Sequence, residues 1–233
     1  MASEESFSRP LSALEAVRSR RSVRAFTAEP VPRAVVEEIL AAASRAPSGS
    51  NIQPWKVHAV AGTAREALSA ELRAAHFDPA DDQAGAEYTY YPTQWFEPYL
   101  GRRRKIGWDL YGLLGIAKGD RAAMERQHAR NYDFFGAPVG LFFTIDRRMG
   151  PAQWIDLGIV MQTVALLAIE HGLASCLQAA WAKFPTTIAE ALQLGEHERV
   201  LTGMSLGYED TEHPVNTLRA TRVGLDDVVT FHR

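Results

Sequence analysis

Two segments of the sequence carry most of the information about fold and function. They are Arg20-Arg21-Ser22-Val23-Arg24 and Pro47-Ser48-Gly49-Ser50-Asn51-Ile52-Gln53-Pro54-Trp55. The first, here called the arginine segment, follows residues 11–17, whose apolar positions recur at helical spacing. Cations at a helix C-terminus offset the negative end of the macrodipole, which explains Arg20 without any ligand. Arg24 lies beyond that helix end, so the arginine segment also fits an anion site.

The alternation of Ser22-Val23-Arg24 predicts an extended backbone, with Ser22 and Arg24 on the same side. A guanidinium presents paired donors that match phosphate oxygens, and a hydroxyl adds one more donor. The arginine segment therefore favours a monophosphate over random surface charge. Capping of the preceding helix remains the alternative.

The second segment, residues 47–55, is an uncharged loop bounded by prolines. Pro47 and Pro54 fix their own φ, and Gly49 permits a positive φ, so this proline-bounded loop has a defined shape. Its amide and hydroxyl groups suit a neutral ligand such as a ribityl chain or the uracil-like edge of a flavin. These groups belong to Ser48, Ser50, Asn51 and Gln53. The alternative is a turn whose side chains cap the neighbouring elements.

Helical and strand patterns alternate along most of the chain. Helices are predicted at 32–46, 63–75 and 152–171, and strands at 55–61, 137–145, 173–180 and 199–207. This order predicts an α/β or α+β sheet layered by helices. We expect a single domain over residues 1–233, with an aromatic-rich insert at about 77–136.

The insert crowds aromatic residues into a stretch interrupted by prolines. Such clusters form ligand lids and subunit interfaces, because large rigid rings bury much area at low entropy cost. The substrate-lid candidates are Tyr88, Tyr90, Trp95, Phe96, Tyr99, Trp108, Phe134 and Phe135. The alternative is a helical excursion packed on its own core. The basic run 102–105 predicts a solvated helix start or an ion-pair partner of Asp109.

Composition narrows the function classes. With 25 basic and 28 acidic residues the net charge is −3, and no basic face is long enough to follow a nucleic acid. The longest apolar stretch, 159–169, has 11 residues, too few to span a bilayer. The start of the chain lacks a signal-peptide pattern, so a cytoplasmic location is expected. The histidines lack metal-ligand spacing, so no metal is expected, and Cys176 is expected to be a buried apolar residue.

The arginine segment and the proline-bounded loop, about two dozen residues apart, resemble the FMN-dependent nitroreductase superfamily. Residues 158–178 look like that family's long central helix and the strand beside the flavin. Residues 205–208 and Arg222 look like its last core strand and closing basic residue. The insert is similar to that of the branch containing nitrobenzoate and nitroaniline reductases. The resemblance implies an α+β, three-layer fold with a mostly antiparallel central sheet, and an intertwined homodimer.

By the same resemblance, FMN is the bound cofactor and NAD(P)H the co-substrate. The residues implied at the phosphate and ribityl chain are Arg20, Arg21, Ser22, Arg24, Arg219 and Arg222. The residues implied along the ribityl chain and ring edge are Pro47, Ser48, Ser50, Asn51 and Gln53, which would face mainly the flavin bound by the partner. Those implied beside the ring of the chain's own flavin are Leu177, Gln178 and Ala179. This chain has Ala220-Thr221 where many relatives place a lysine, so Arg24 or Arg219 is expected to carry that charge.

The implied chemistry belongs to the flavin, and no protein side chain is expected to be catalytic. NAD(P)H reduces the flavin, leaves, and is replaced by a small electron-poor aromatic, typically a nitroarene, in a ping-pong cycle. The same scaffold also supports dehalogenation, flavin cleavage and azoline oxidation. A non-catalytic flavin-binding protein, with the insert blocking the ring, is the alternative from another class.

Overall fold

The computed structural model describes residues 11–78 and 87–232. Residues 1–10 and 79–86, which include the start of the predicted domain and part of the predicted insert, lie outside that description. Four strands form one sheet in the order β1-β2-β4-β3, and every neighbouring pair is antiparallel. Their bounds are β1 Trp55–Ala61, β2 Val139–Asp146, β3 Ala174–Gln178 and β4 Glu198–Gly207.

Helices cover both faces of this sheet. The α-helices are α1 Ala13–Ser19, α2 Arg33–Ala43, α3 Gly62–Phe77, α4 Tyr99–Leu113, α5 Arg121–Ala129, α6 Ala152–Glu170 and α7 Pro185–Leu192. Shorter 3-10 turns are Gly49–Asn51, Arg130–Gly136, Ala179–Lys183, Pro214–Thr217 and Leu225–Asp227. The predicted strands and the long helix are confirmed, as is the α+β class with a mostly antiparallel sheet.

The central strands β2 and β4 separate two apolar cores. Along β2, Leu141 and Phe143 face the core that contains α2 and α6, while Phe142 faces the core that contains α3 and α7. Both faces of β2 are therefore buried, which explains why its sequence is a continuous apolar run rather than an alternating one. The result is the expected three-layer arrangement of helices, sheet and helices.

Helix α6 is apolar over most of its surface. Among the described residues it is the one helix whose length and hydropathy would suffice to cross a membrane. One face, with Leu157, Val160 and Val164, is buried against the sheet and α2. Ile155 and Ile159 on the opposite face are exposed in the single chain. This helix is thus half core and half apolar surface.

The insert forms helices α4 and α5 and the turn Arg130–Gly136. Helix α4 has no buried residue, so it does not pack on a core of its own within the described chain. Lys105 and Asp109 form an ion pair with an Nζ to Oδ2 distance of 2.6 Å, which confirms the partner expected for the basic run. The single-domain organisation with this insert stays a prediction.

Candidate active site

The arginine segment lies along the outer edge of the sheet. Ser22 forms a parallel bridge with Ser175 of β3, and the amide of Val23 donates to the Ser175 carbonyl at 3.1 Å. Val23 is buried, whereas Ser22 and Arg24 are half-buried and line the same cavity. The predicted extended backbone, with these two residues on one side, is confirmed.

The side chain of Asn216 holds the arginine segment in place through hydrogen bonds to its backbone. Its Oδ1 accepts from the Arg24 amide at 2.8 Å, and its Nδ2 donates to the carbonyls of Ala25 and Asp210, both at 2.8 Å. The side chain is 5 % exposed, so each of these bonds is shielded from water. The sequence carried no signal for this role, because Arg24 and Ala25 lie 192 and 191 residues away along the chain.

All five arginines predicted at the phosphate come together around a cavity of about 660 Å³, here called the anion pocket. Ser22 and a sixth arginine also line it, and no carboxylate of the described residues does. The basic lining residues are Arg18, Arg20, Arg21, Arg24, Arg219 and Arg222. Arg219 donates to the Asn216 carbonyl at 2.8 Å and Arg222 to the Thr221 carbonyl at 3.1 Å. Local backbone contacts therefore orient both C-terminal guanidinium groups.

Arg21 differs from the other arginines of the anion pocket. Its guanidinium forms an ion pair with Glu209, next to the bridge that joins Glu209 to Phe26. Glu209 therefore neutralises Arg21 within the chain, and the pair ties the arginine segment to the end of β4. The positive charge of the anion pocket rests mainly on its other arginines.

A second cavity, of about 570 Å³ and here called the aromatic pocket, adjoins the anion pocket because Arg24 lines both. Leu177, Gln178 and Ala179 form one wall, as the sequence predicts for residues beside a ring. Leu177 is 43 % exposed, so its side chain is available to a ligand.

Gln178 contributes to the aromatic pocket in a different way. Its side chain is buried, where Nε2 donates to the Asn131 carbonyl at 2.8 Å and Oε1 accepts from Ser205 at 2.7 Å. These two bonds hold the end of β3 in place and leave its backbone to face the cavity. Asn131 and Ser205 are positioning residues that no sequence pattern identified.

Part of the predicted lid lines the aromatic pocket. Tyr88, Tyr90 and Phe135 do so, together with two tyrosines that were not among the lid candidates, Tyr91 and Tyr111. Tyr88 is anchored because its hydroxyl donates to the Leu201 carbonyl, and burial raises its pKa to about 12. Four further candidates lie outside the lining, the half-buried Trp95 and the exposed Phe96, Tyr99 and Trp108.

Phe134 is a correction to the predicted lid. Its ring is fully buried, with its centroid 4.4 Å from that of Trp181. It lies so close over Gly140 that a Cβ there would be 2.1 Å from the ring. Phe134 is therefore a core residue, and the positive φ values of Phe134 and Phe135 turn only the latter toward the cavity wall.

The proline-bounded loop lies apart from both pockets in the single chain. The Gly49 amide donates to Asp156 Oδ1 of α6 at 3.2 Å, and the Gln53 amide donates to Ser48 Oγ at 2.9 Å. Positive φ values occur at Ser50, Asn51 and Gln53. Gly49, the residue for which the sequence permits a positive φ, does not adopt one. None of these residues lines the anion pocket or the aromatic pocket.

Shifted pKa values mark two groups near the aromatic pocket. Burial, and then the charge of Lys183, lower the pKa of His128 to about 4, so this imidazole is neutral at neutral pH. Burial raises the pKa of the Cys176 thiol, which confirms the expected buried, unreactive residue. Lys183 itself lines the aromatic pocket and was missed by the sequence, where an isolated lysine looks like any surface cation.

Comparison with known proteins finds relatives that share one name, 4-nitrobenzoate reductase. The chain is 43 % identical to a 4-nitrobenzoate reductase of Pseudomonas putida over 206 residues, covering 88 % of this chain and 89 % of the relative. A 4-nitrobenzoate reductase of Nocardioides sp. (strain LMS-CY) is 40 % identical over 235 residues, covering 97 % and 95 %.

Solved structures agree with these relatives. The FMN and NADPH-dependent nitroreductase NfnB from Sphigopyxis sp. strain HMH superposes with a TM-score of 0.91 at 44 % identity, over 96 % of this chain and 100 % of that one. NfnB from Mycobacterium smegmatis, solved with NADPH, gives 0.89 at 32 % identity, over 95 % and 98 %. The sequence model of the Nitroreductase family matches residues 17–208. The chain, whose edge-strand arginines adjoin an aromatic cavity, thus belongs to the nitroreductase family.

Proposed function

We propose that this chain is an FMN-dependent, NAD(P)H-dependent oxidoreductase that reduces nitroaromatic compounds. The observation that carries the proposal is the junction at Arg24, where the anion pocket opens beside the aromatic pocket. FMN has the matching layout, with a phosphate at one end and a planar ring at the other. The relatives named as 4-nitrobenzoate reductases and as FMN and NADPH-dependent enzymes support the same chemistry.

The residues present fit FMN by charge and by shape. The guanidinium groups without a carboxylate partner in the anion pocket would bind the phosphate, and these belong to Arg20, Arg24, Arg219 and Arg222. The backbone of Leu177–Ala179 would lie along the ring edge, held there by the Gln178 side chain. When bound, FMN supplies the redox chemistry by accepting a hydride from NAD(P)H and returning two electrons to the acceptor.

We further propose a homodimer whose sites use both chains. The proline-bounded loop presents exposed polar groups that reach neither pocket of its own chain, as expected if it faces the partner's flavin. The single chain also exposes an unusual set of large apolar side chains on α1, α6 and the C-terminal segment, which a second copy would cover. They include Leu14, Val17, Ile155, Ile159, Leu225, Val228 and Phe231. Dependence on a reduced nicotinamide nucleotide supports the cytoplasmic location expected from the sequence.

The test is an absorbance spectrum of the purified protein, followed by anaerobic addition of NADPH and then of 4-nitrobenzoate. We expect flavin bands that bleach with NADPH and recover with the nitroarene. Bands that fail to bleach would instead support the non-catalytic flavin-binding alternative. Bleaching without recovery by any nitroarene would point to another reaction on this scaffold.

A further inference from the structure

The aromatic pocket carries an unbalanced positive charge. Among the described residues, its lining contains two permanent cations, Arg24 and Lys183, and no carboxylate. Arg24 also lines the anion pocket, where the proposed phosphate would neutralise it. Lys183 does not line the anion pocket, so its charge is left for whatever ligand enters the aromatic pocket.

The backbone of Lys183 is held firmly although its side chain is exposed. Lys183 ends the turn Ala179–Lys183, which directly follows β3 and therefore directly follows the wall of the pocket. Trp181 and Phe184 on either side of it are buried. Trp181 lies against Gly203, where a Cβ would come within 2.4 Å of the indole, so the turn cannot slide along β4. The point from which the Lys183 side chain starts is thus fixed beside the pocket wall.

Within residues 11–78 and 87–232, no ion pair compensates the charge of Lys183. Burial first, and the charge of Lys183 second, lower the pKa of both His128 and His76. Both imidazoles are therefore neutral at neutral pH. The acid that faces this group, Glu125, acts on His76 and forms no ion pair with Lys183 in the part of the chain that is described.

We propose that Lys183 is a specificity-determining residue that binds an anionic ring substituent, a carboxylate above all, on the nitroaromatic acceptor. The proposal rests on the proposed function and adds the charge class of its substrate. Tyr90, Tyr91 and Tyr111 supply aromatic surface for the acceptor's ring, and Lys183 supplies the single point charge. The Lys183 side chain is exposed, so solvent screens this ammonium–carboxylate contact and we expect a moderate preference over neutral rings.

A phosphate of NADPH is the other possible source of negative charge. In that molecule a ribose separates the nicotinamide ring from the nearest phosphate. A nicotinamide that occupied the aromatic pocket would therefore direct its phosphates away from the ring-binding wall. The acceptor's own carboxylate fits a cation within the pocket better, and the experiment separates the two sources.

The test compares 4-nitrobenzoate with 4-nitrobenzamide, a neutral molecule of nearly the same shape, in wild type and in Lys183→Met. We expect the KM for 4-nitrobenzoate to rise about tenfold, while the KM for 4-nitrobenzamide and for NADPH changes less than about twofold. Lys183→Arg should retain the preference, since it keeps the charge. Lys118→Met, which removes a lysine outside the pocket, is the matched control.

Calorimetric titration with benzoate and benzamide gives a readout that does not depend on turnover. The variant should lose about tenfold in benzoate affinity and keep its benzamide affinity. Equal losses for both ligands, or a rise confined to the KM for NADPH, would overturn the assignment of Lys183. An enzyme that reduces no nitroarene would instead refute the proposed function, and the titration would still decide whether Lys183 binds the carboxylate.

Discussion

The arginine segment and the proline-bounded loop were predicted to bind one cofactor, yet they differ sharply in how the fold holds them. The arginine segment is tied to β3, to Asn216 and to Glu209, and its side chains meet in one cavity. The proline-bounded loop is fixed mainly by its own hydrogen bonds and one contact to Asp156, and it faces outward.

This difference is what we expect of the proposed dimer, in which one chain forms the anion site and a second copy completes the ring site. A segment buried by its own chain has its shape fixed before any ligand arrives, which lowers the cost of binding. A loop with three non-glycine residues at positive φ is also preshaped, but for a surface outside its own pockets. In the dimer proposed above, the two regions would be the fixed halves of a site that two copies complete.

The largest effect is expected from breaking the clamp behind the arginine segment. Asn216→Ala removes three buried hydrogen bonds and leaves their partners unsatisfied, so the free energy of unfolding should fall by about 3 kcal/mol. Chemical denaturation measures this loss. Thr217→Ala, at an exposed neighbour, should change stability by less than about 0.5 kcal/mol. Equal stability of the two variants would show that the arginine segment is not held as described.

The next largest expected effect is a loss of FMN affinity rather than of stability. Arg24→Ala and Arg222→Ala each remove a cation from the anion pocket, and each should weaken FMN binding by about 1.5 to 3 kcal/mol, or roughly tenfold to a hundredfold. The fraction of the yellow colour that each variant retains after dialysis measures this loss of affinity. Arg104→Ala, on the outside of α4, is the matched control. Full retention in both variants would remove the basis for an FMN phosphate at this place.

Mixed dimers test whether the loop serves the partner. Arg24→Ala damages the arginine segment, and Asn51→Asp introduces a charge into the loop while keeping a residue type that tolerates positive φ. If each site combines one chain's arginines with the other chain's loop, unfolding and refolding a mixture restores roughly one intact site in four. FMN binding and turnover should then rise above either variant alone. No recovery would mean that both regions serve the flavin of the same chain.

The smallest expected effect is a pH-dependent loss of stability on mutation of Glu198, at the end of β4 farthest from Glu209. Burial would raise the pKa of Glu198, but hydrogen bonds from Thr144, His58 and Lys56 outweigh it and lower the value to about 2. The folded pKa lies below the ordinary 4.5, so this stabilisation is complete above that pH and is lost as the pH falls toward 2.

Glu198→Gln should therefore cost about 2 kcal/mol at pH 6 and progressively less below pH 4. Denaturation curves across this pH range measure the difference. FMN affinity at neutral pH should stay unchanged, because the cluster touches neither pocket. An FMN defect in this variant would show that global stability, rather than the local clamp, controls the arginine segment.

Much of the fold followed from local pattern. Strand β1 was predicted with its observed bounds, and β2 and α6 to within two residues, because continuous apolar runs and helical periodicity report burial directly. The loop between α2 and β1 was recognised from its prolines. Its detailed shape was not, since hydrogen bonds within the loop place the positive φ at Ser50, Asn51 and Gln53 instead of Gly49.

The site was predictable where residues cluster along the chain and not where the fold brings distant residues together. The arginines of the anion pocket are neighbours in sequence, apart from Arg219 and Arg222. Asn216 and Lys183 carry no motif, and their roles arise only from what packs around them. Phe134 and Phe135 are adjacent, chemically identical and both buried, so only the turn geometry decides which one also lines the aromatic pocket.

The solitary thiol of Cys176 has a practical consequence. It is buried and, at neutral pH, protonated, so maleimides and the peroxide that flavoenzymes release in air should leave it intact. A cysteine introduced at exposed Ile52 would then be the one nucleophile open to labelling. Spin labels attached to that Ile52→Cys variant would give, by pulsed electron paramagnetic resonance, the distance between the two copies of the proposed dimer, with Cys176 left in place.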